Sequence, residues 1–219
     1  MKVEITIPSD LSDIKLSQYQ KYLKIAEDNE DGEFLKQKMI EIFCGVSLKN
    51  VAFMKRTDVE DICNHISALF TDKYSLKQTF KFKGLKFGFI PNLDEMTNGE
   101  YVDLDTYITD WQDMHKAYAV LFRPIIQELK GKYIIEDYKG SDVYSDDMRD
   151  LPLDIALGAV VFFWDLGNEL LNSTMDCLEE EMERPDIQSK LSSVTGGDGT
   201  RQFMHSLREM LGDLKISAN

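Results

Sequence analysis

The sequence predicts a mainly α-helical α+β protein, a helical bundle built around one long central helix with a small antiparallel β-hairpin. Apolar residues recur at helical spacing through most of the 219 residues. Residues 79–91, TFKFKGLKFGFIP, instead alternate between apolar and polar, which is typical of strands. Residues 152–183 read as one long helix that is apolar nearly all round in its N-terminal half, so it should run through the core.

The N-terminal third predicts one strand followed by helices. Residues 3–7, VEITI, alternate and are rich in β-branched side chains, and Pro8 ends this short strand. Capping boxes then predict two helix starts, Ser17 with Gln20 and Thr57 with Glu60. Between these helices lie a second helix that ends at Gly45 and a short helical turn that begins at Ser47. The apolar stripes of the second and last helices are Leu35, Met39, Ile42 and Phe43, and Val59, Ile62, Cys63, Ile66 and Phe70.

The alternating segment predicts a hairpin with an aromatic face. Phe80 and Phe82 would share that face with Phe87 and Phe89 of the returning strand, while the lysines point to solvent. Gly84-Leu85 would form a two-residue loop of type II′, because glycine comes first. Since an isolated hairpin is only marginally stable in water, its phenylalanine face should rest on helices or on the first strand.

Two long helices are predicted after the hairpin. Thr97 and Glu100 form a capping box, and a helical stripe continues to Phe122, where Pro124 would kink or restart the helix. Residues 130–147 read as a polar loop with one short strand. Pro152 is well placed as the first residue of the long helix.

The predicted organisation has three parts. Residues 1–75 form an N-terminal helical unit with the short first strand, and residues 76–184 add the hairpin and the long helices packed on it. Residues 185–219 read as a flexible Ser/Gly/Asp-rich linker and a short amphipathic helix. That helix either folds back on its own core or docks into a partner through its apolar stripe. The predicted partner-binding residues are Phe203, Leu207, Leu211 and Leu214.

Two segments resemble each other, IPSDLSDIKLSQY from residue 7 and IPNLDEMTNGEY from residue 90, about 82 residues apart. In each, Ile-Pro ends a strand and a polar bend leads into a helix, because proline blocks further strand pairing. We interpret each segment as a strand-to-helix elbow, that is, a strand, a polar bend and a helix in succession. The two elbows would belong to two related half-units that pack together. The alternative is a coincidence of composition.

Charge and hydropathy exclude two classes of partner. The formal net charge is −14 and the pI is about 4.6, so phosphate backbones repel the chain and nucleic acid is not an expected partner. The longest apolar run, residues 155–164, is about half of what a bilayer requires, and the N-terminus lacks the apolar region of a signal peptide. Three widely spaced cysteines are expected to be reduced thiols in an intracellular protein.

No catalytic, cofactor-binding or metal-binding residues are predicted. His115 lies on an apolar stripe and is expected to be a hydrogen-bonded core residue. Asp103 and Asp110 are seven residues apart and could share a helix face, but such pairs are expected by chance among 39 acidic residues. Residues 195–200, TGGDGT, lack the lysine of a phosphate-binding loop. The chain is therefore not expected to be an enzyme.

Residues 11–25, LSDIKLSQYQKYLKI, and residues 40–70 resemble tail assembly chaperones of tailed bacteriophages. The shared features are the Gln18-Tyr19 helix start, a helix ending at Gly45, a turn from Ser47 to Val51, and an Asp58-led helix. The later segment 88–125 resembles uncharacterised phage proteins. The resemblance covers about two-thirds of the chain.

The resemblance implies an acidic, mostly helical, non-enzymatic assembly factor without cofactors that binds an aggregation-prone tape measure protein before tail growth. Its expected partner is a tape measure protein or another tail or virion component, and its expected location is the host cytoplasm during assembly. The alternative is a structural virion subunit, a connector, neck or baseplate component that forms a homo-oligomeric ring and remains in the particle.

Overall fold

The structure is a computed structural model that describes residues 5–71 and 73–182. The chain divides into two compact units, Met1–Gly158 and Ala159–Asn219. The predicted boundaries after residues 75 and 184 stay predictions. In the second unit, Ala159, Val160 and Phe163 are buried, and Phe163 lies edge-to-face with Phe162.

The fold class is confirmed, because the described residues form a mainly helical α+β fold. One four-stranded antiparallel sheet has the order β1-β2-β3-β4. The strands are β1 (Thr79–Phe82), β2 (Leu85–Phe89), β3 (Phe122–Leu129) and β4 (Lys132–Ile135). The helices of the described residues are α1 (Leu16–Glu27), α2 (Gly32–Cys44), α3 (Leu48–Val51), α4 (Arg56–Leu69), α5 (Asn98–Tyr107), α6 (Met114–Leu121), α7 (Ser145–Met148) and α8 (Leu153–Met182).

Helix α1 begins before the predicted Ser17 cap. Its first amide groups donate to the segment before α8, Leu16 N to Leu151 O and Ser17 N to Arg149 O, both at 2.9 Å. The exposed amides of the helix start are thus satisfied by tertiary contacts, so a serine cap is not required. The predicted box with Gln20 is wrong, because the Gln18 side chain accepts from Lys15 N at 2.9 Å.

Other helix boundaries follow the sequence more closely. The left-handed Gly45 ends α2, and Ser47 caps α3 by accepting from Asn50 N, as predicted. Helix α4 starts at Arg56, so the predicted Thr57–Glu60 box is wrong, although its stripe around Ile62 and Ile66 is buried. Pro152 directly precedes α8.

The predicted continuous helix from residue 97 to 122 is interrupted. The Thr97–Glu100 capping box opens α5 as predicted, but α5 ends at Tyr107 and α6 begins at Met114. The buried amide of Gln20 donates to Trp111 O at 2.6 Å, which binds a carbonyl that a continuous helix would use. Asp110 accepts from Gln112 N at 2.8 Å, a local turn that competes with helix.

Beyond α6 the chain is strand and not helix. Phe122, Arg123 and Pro124 pair with β2 residues Phe89, Gly88 and Phe87. The Pro124 carbonyl faces β4 and accepts from Glu136 N at 2.8 Å. Because the N–H and C=O of a strand residue point to the same side, the N–H that proline lacks would also face β4, at the end of the β3–β4 pairing. Proline is tolerated at such a margin. The predicted short strand in residues 130–147 is confirmed as β4.

The predicted phenylalanine face is confirmed and extended. Phe80 is opposite Phe87, with ring centroids 5.9 Å apart, and Phe122 joins them, edge-on to Phe80 at 5.1 Å. Phe80, Phe82, Phe87, Phe89 and Phe122 are all buried. The hairpin is therefore stabilised by two further strands, β3 and β4. Of the predicted first strand, the described residues 5–7 are not in a strand.

Both hairpins of the sheet turn on Lys-Gly. The first loop is Lys83-Gly84 and not the predicted Gly84-Leu85, because Leu85 already pairs with Phe82. Both loop residues have positive φ, 45° and 83°, and Lys130-Gly131 repeats this with 51° and 78°. Two positive φ values define the type I′ turn, whose twist matches that of the strands. The predicted type II′ turn is wrong.

The two similar segments share local structure. Leu11 and Leu93, 82 positions apart, each start a short 3-10 helix. An α-helix follows each, and its third residue accepts from the preceding cap amide, Gln18 from Lys15 and Glu100 from Thr97. The elbow therefore recurs, although a strand precedes only the second copy in the described part. Related half-units stay a prediction.

We expect Lys130→Asn to raise the free energy of unfolding by about 0.5–1 kcal/mol, because asparagine tolerates positive φ better than lysine. Urea denaturation at neutral pH measures this change. The matched variant Lys83→Asn should gain less, because Lys83 also pairs with Asp147 at 2.7 Å and with Asp150 at 3.0 Å. Equal gains in both variants would contradict this assignment.

Candidate partner-binding surface

The predicted partner-binding residues Phe203, Leu207, Leu211 and Leu214 lie outside the described residues. The described part of the chain offers a different candidate, the hairpin of β3 and β4. Strand β2 pairs with β3 only as far as Pro124, so β3 from Ile125 onward is paired with β4 alone. This part of β3 and β4 therefore has no backbone pairing with β2.

The face that each hairpin side chain occupies follows from the register. A Cβ placed on Gly88 would lie 2.6 Å from the Tyr133 ring, so Tyr133 covers Gly88 on the face opposite the phenylalanines. The Tyr133 hydroxyl donates to Phe89 O at 2.8 Å and holds the hairpin against β2. Because faces alternate along a strand, Ile134 points to the phenylalanine side.

Three apolar side chains are exposed on this hairpin. Leu129, Ile126 and Ile134 are 66%, 64% and 54% exposed, respectively. Gln127 is the register partner of Ile134, so these two side chains share a face of the sheet. Leu129 is two residues after Gln127 and lies on the same face. Ile126 is the extra residue of the β-bulge next to Gln127. We call Ile126, Leu129 and Ile134 the hairpin patch.

The other exposed apolar side chains are more scattered. Phe53, on the turn after α3, is the most exposed at 82%, and no other exposed large apolar residue is near it in the sequence. Single exposed apolar residues are normal on protein surfaces, whereas three within one short hairpin make this hairpin the candidate interaction site of the described residues.

The sheet is locally basic in an acidic chain. Residues 77–88 and 126–135 contain six lysines and one acidic residue, Glu128. Lys86 pairs with Glu128 at 2.6 Å across the strands. Lys81, Lys130 and Lys132 have no ion-pair partner among the described residues. Of these, Lys130 and Lys132 lie at the β3–β4 turn beside Leu129, so positive charge borders the hairpin patch.

Helix α5 is held on the opposite face of the sheet by a buried ion pair. Arg123 points away from the phenylalanines and pairs with Glu100, and both side chains are almost fully buried. Burial alone raises the pKa of Glu100, but hydrogen bonds from Thr97 and Arg123 together outweigh it, and the net pKa lies below its ordinary value. Glu100 is therefore ionised at neutral pH.

The sequence candidates for chemistry occupy separate places. His115 is buried, and its Nδ1 lies 3.4 Å from the Gln20 amide nitrogen, as expected of a hydrogen-bonded core residue. Burial, followed by the positive charges of Arg149 and Lys116, lowers the His115 pKa. Asp103 accepts from the Tyr138 hydroxyl, whereas Asp110 lies beyond the end of α5, so the two do not share a helix face.

The polar groups of the described part offer little for metal or thiol chemistry. Among the side chains that the structure describes, no group of three histidine, cysteine or acidic residues could hold a metal ion. Cys44 and Cys63 are free, and burial raises the pKa of both thiols, that of Cys44 to about 11. Such thiols are protonated and unreactive at neutral pH.

Comparisons of the chain with protein-family models, curated proteins and solved structures find no match. None of the described helices combines the length and the apolar character needed to cross a bilayer.

Sequence reasoning missed the hairpin patch because it expected Pro124 to kink or restart a helix and not to continue into a strand. A usable signal was present in residues 125–135, IIQELKGKYII, where two apolar runs flank Lys-Gly. That pattern repeats the Lys-Gly turn of the first hairpin and predicts a second one.

We expect Glu100→Gln to lower the free energy of unfolding by about 3 kcal/mol, because it leaves the Arg123 charge buried and unpaired while keeping the capping box. The double variant Glu100→Gln/Arg123→Met should recover most of the loss. Chemical denaturation measures both, with the exposed pair variant Glu33→Gln as the control that changes little.

The destabilisation caused by Glu100→Gln should become smaller as the pH falls. Because the folded-state pKa of Glu100 is depressed, its stabilising charge is fully present above the unfolded-state pKa of about 4.3 and is lost as pH falls through the lower folded value. The difference between wild type and Glu100→Gln should therefore shrink below about pH 4. A difference that persists unchanged to lower pH would contradict the ion-pair assignment.

Proposed function

We propose that the protein is a non-enzymatic assembly factor of a tailed bacteriophage that binds another polypeptide through the hairpin patch. Its mode of action would resemble that of a tail assembly chaperone that binds the tape measure protein. The single observation that carries this proposal is the hairpin patch, an exposed apolar surface on an ordered, backbone-paired hairpin. The phage context comes from the sequence resemblance.

The chemistry of the patch suits polypeptide recognition. An aggregation-prone partner exposes apolar segments, and burying each exposed leucine or isoleucine against them contributes up to about 1.5–3 kcal/mol. The surface is preorganised, because the Lys130-Gly131 turn and the Tyr133 hydroxyl hold the hairpin before any partner arrives. Binding then requires less ordering of the protein itself.

The charge of the chain supports the same role. A protein that carries a partner with exposed apolar surface must keep the complex from associating further, and a formal net charge of −14 provides repulsion between complexes. The predicted C-terminal stripe from Phe203 to Leu214 would add a second partner contact in this proposal.

A structural virion subunit is the second candidate, and one observation favours it. Helix α5 carries another exposed apolar pair, Tyr101 and Val102, each 49% exposed. A subunit of a ring needs two different contact surfaces, one for each neighbour. A closed oligomer of constant size at all concentrations, measured by mass photometry, would favour the subunit over the chaperone.

We expect the double variant Ile126→Thr/Ile134→Thr to bind a co-expressed tape measure protein about tenfold more weakly or worse. In the complex, each substitution would bury a hydroxyl group where the wild type buries an apolar side chain. Threonine keeps the strand propensity, and both sites are exposed, so the fold should be unaffected. The measurement is the dissociation constant together with the fraction of the tape measure protein that stays in solution.

The matched control is Val143→Thr, which makes a similar change at an exposed apolar residue outside the hairpin. It should bind like wild type. If the hairpin variant also binds like wild type, the hairpin patch is not the contact surface and the proposal loses its support.

A further inference from the structure

The exposed apolar pair on α5 lies within acidic surroundings. Tyr101 and Val102 are four and three residues before Asp105, so all three neighbour one another on the helix. Residues 93–110 contain six acidic residues and no lysine or arginine. Of these acidic residues, Asp94, Glu95 and Asp105 make no ion pair in the described part of the chain. We call Tyr101, Val102 and Asp105 the α5 patch.

The two patches are complementary. The hairpin patch is apolar and bordered by the unpaired Lys130 and Lys132, whereas the α5 patch is apolar and bordered by unpaired carboxylates. Apolar surface on each side would leave water together, and opposite charges at the rim would set the orientation and speed of encounter. Each patch is therefore a chemically suitable partner for the other.

The two patches of one copy face in opposite directions. Glu100 points from α5 to Arg123 on the sheet, and Leu104, one turn later, is also buried, so this side of α5 faces inward. Tyr101 and Val102 follow Glu100 by about 100° and 200° around the helix and turn away from the sheet. The hairpin patch lies on the other face of that sheet, so contact requires a second copy.

We propose that the hairpin patch of one copy docks on the α5 patch of a second copy. The contact is heterologous, with two different surfaces meeting, and it propagates head to tail into short chains or a ring. The inference rests on the proposed function, because it uses the same hairpin patch. In the chaperone role, self-association covers the apolar surface until a partner displaces the second copy.

The test reverses charges within or beside each patch in the full-length chain. The hairpin variant is Lys130→Glu/Lys132→Glu, and the α5 variant is Glu95→Lys/Asp105→Lys; all four positions are exposed. Sedimentation velocity over a concentration series measures the self-association constant. Wild type should associate as concentration rises, and each variant alone should associate at least tenfold more weakly.

Two restored combinations make the test specific. A mixture of the two variants should associate again, because it contains one wild-type pair of surfaces and one reversed pair. A single chain carrying all four substitutions should also associate, since its reversed surfaces match. A variant that simply failed to fold would rescue neither combination, and circular dichroism of each variant checks its helix content directly.

The outcomes separate this inference from the proposed function. If wild type stays monomeric at every concentration, or if neither combination restores association, head-to-tail docking is wrong. The proposed function survives that result when Ile126→Thr/Ile134→Thr still weakens binding of the tape measure protein. If that variant binds the tape measure protein normally while charge reversal abolishes association, the hairpin serves self-assembly and the chaperone role is wrong.

Discussion

The backbone pairing of Phe122–Pro124 with Phe87–Phe89 determines the course of the chain after α6, the faces on which Phe122 and Arg123 lie, and the exposure of the β3–β4 hairpin. It converts the end of α6 directly into strand β3 and adds Phe122 to the buried phenylalanine face. It also directs Arg123 to the opposite face, where Glu100 positions α5. Because the pairing between β2 and β3 stops at Phe87 and Pro124, the remainder of β3 continues with β4 alone, and the hairpin patch remains uncovered.

Much of the fold could be predicted from local physics. Capping at Thr97, the left-handed Gly45 and the alternating phenylalanines each act within a few residues, and each prediction is confirmed. Pro152 is predicted as the first residue of the long helix and lies one position before it. The errors arise where distant groups compete with local preference. Leu151 and Arg149 carbonyls replace a serine cap on α1, and the Gln20 amide helps to interrupt the predicted helix at Trp111. These hydrogen-bond partners are far apart in the sequence, so no local sequence pattern predicts them.

The candidate surface was harder to predict than the fold. The hairpin patch depends on where the pairing between β2 and β3 stops, which is a property of strand register and not of the composition of residues 125–135. Similarly, the exposure of Tyr101 is not visible in the repeated elbow, because its counterpart Tyr19 is buried beside Trp111 and Phe70. Tyr19 and Tyr101 thus occupy equivalent positions in similar local structures, but only Tyr19 is buried. This difference arises from tertiary packing.

The most direct test of the central claim, that the hairpin patch contacts polypeptide, is site-specific photo-crosslinking. The photoreactive residue p-benzoyl-phenylalanine replaces Leu129 in the full chain, and exposed Lys24 on α1 serves as the control position. After irradiation in cells that produce the phage structural proteins, mass spectrometry maps the products. The account predicts cross-links from position 129, and not from position 24, to a defined stretch of a phage structural protein or to α5 of a second copy. Equal, diffuse cross-linking from both positions would contradict it.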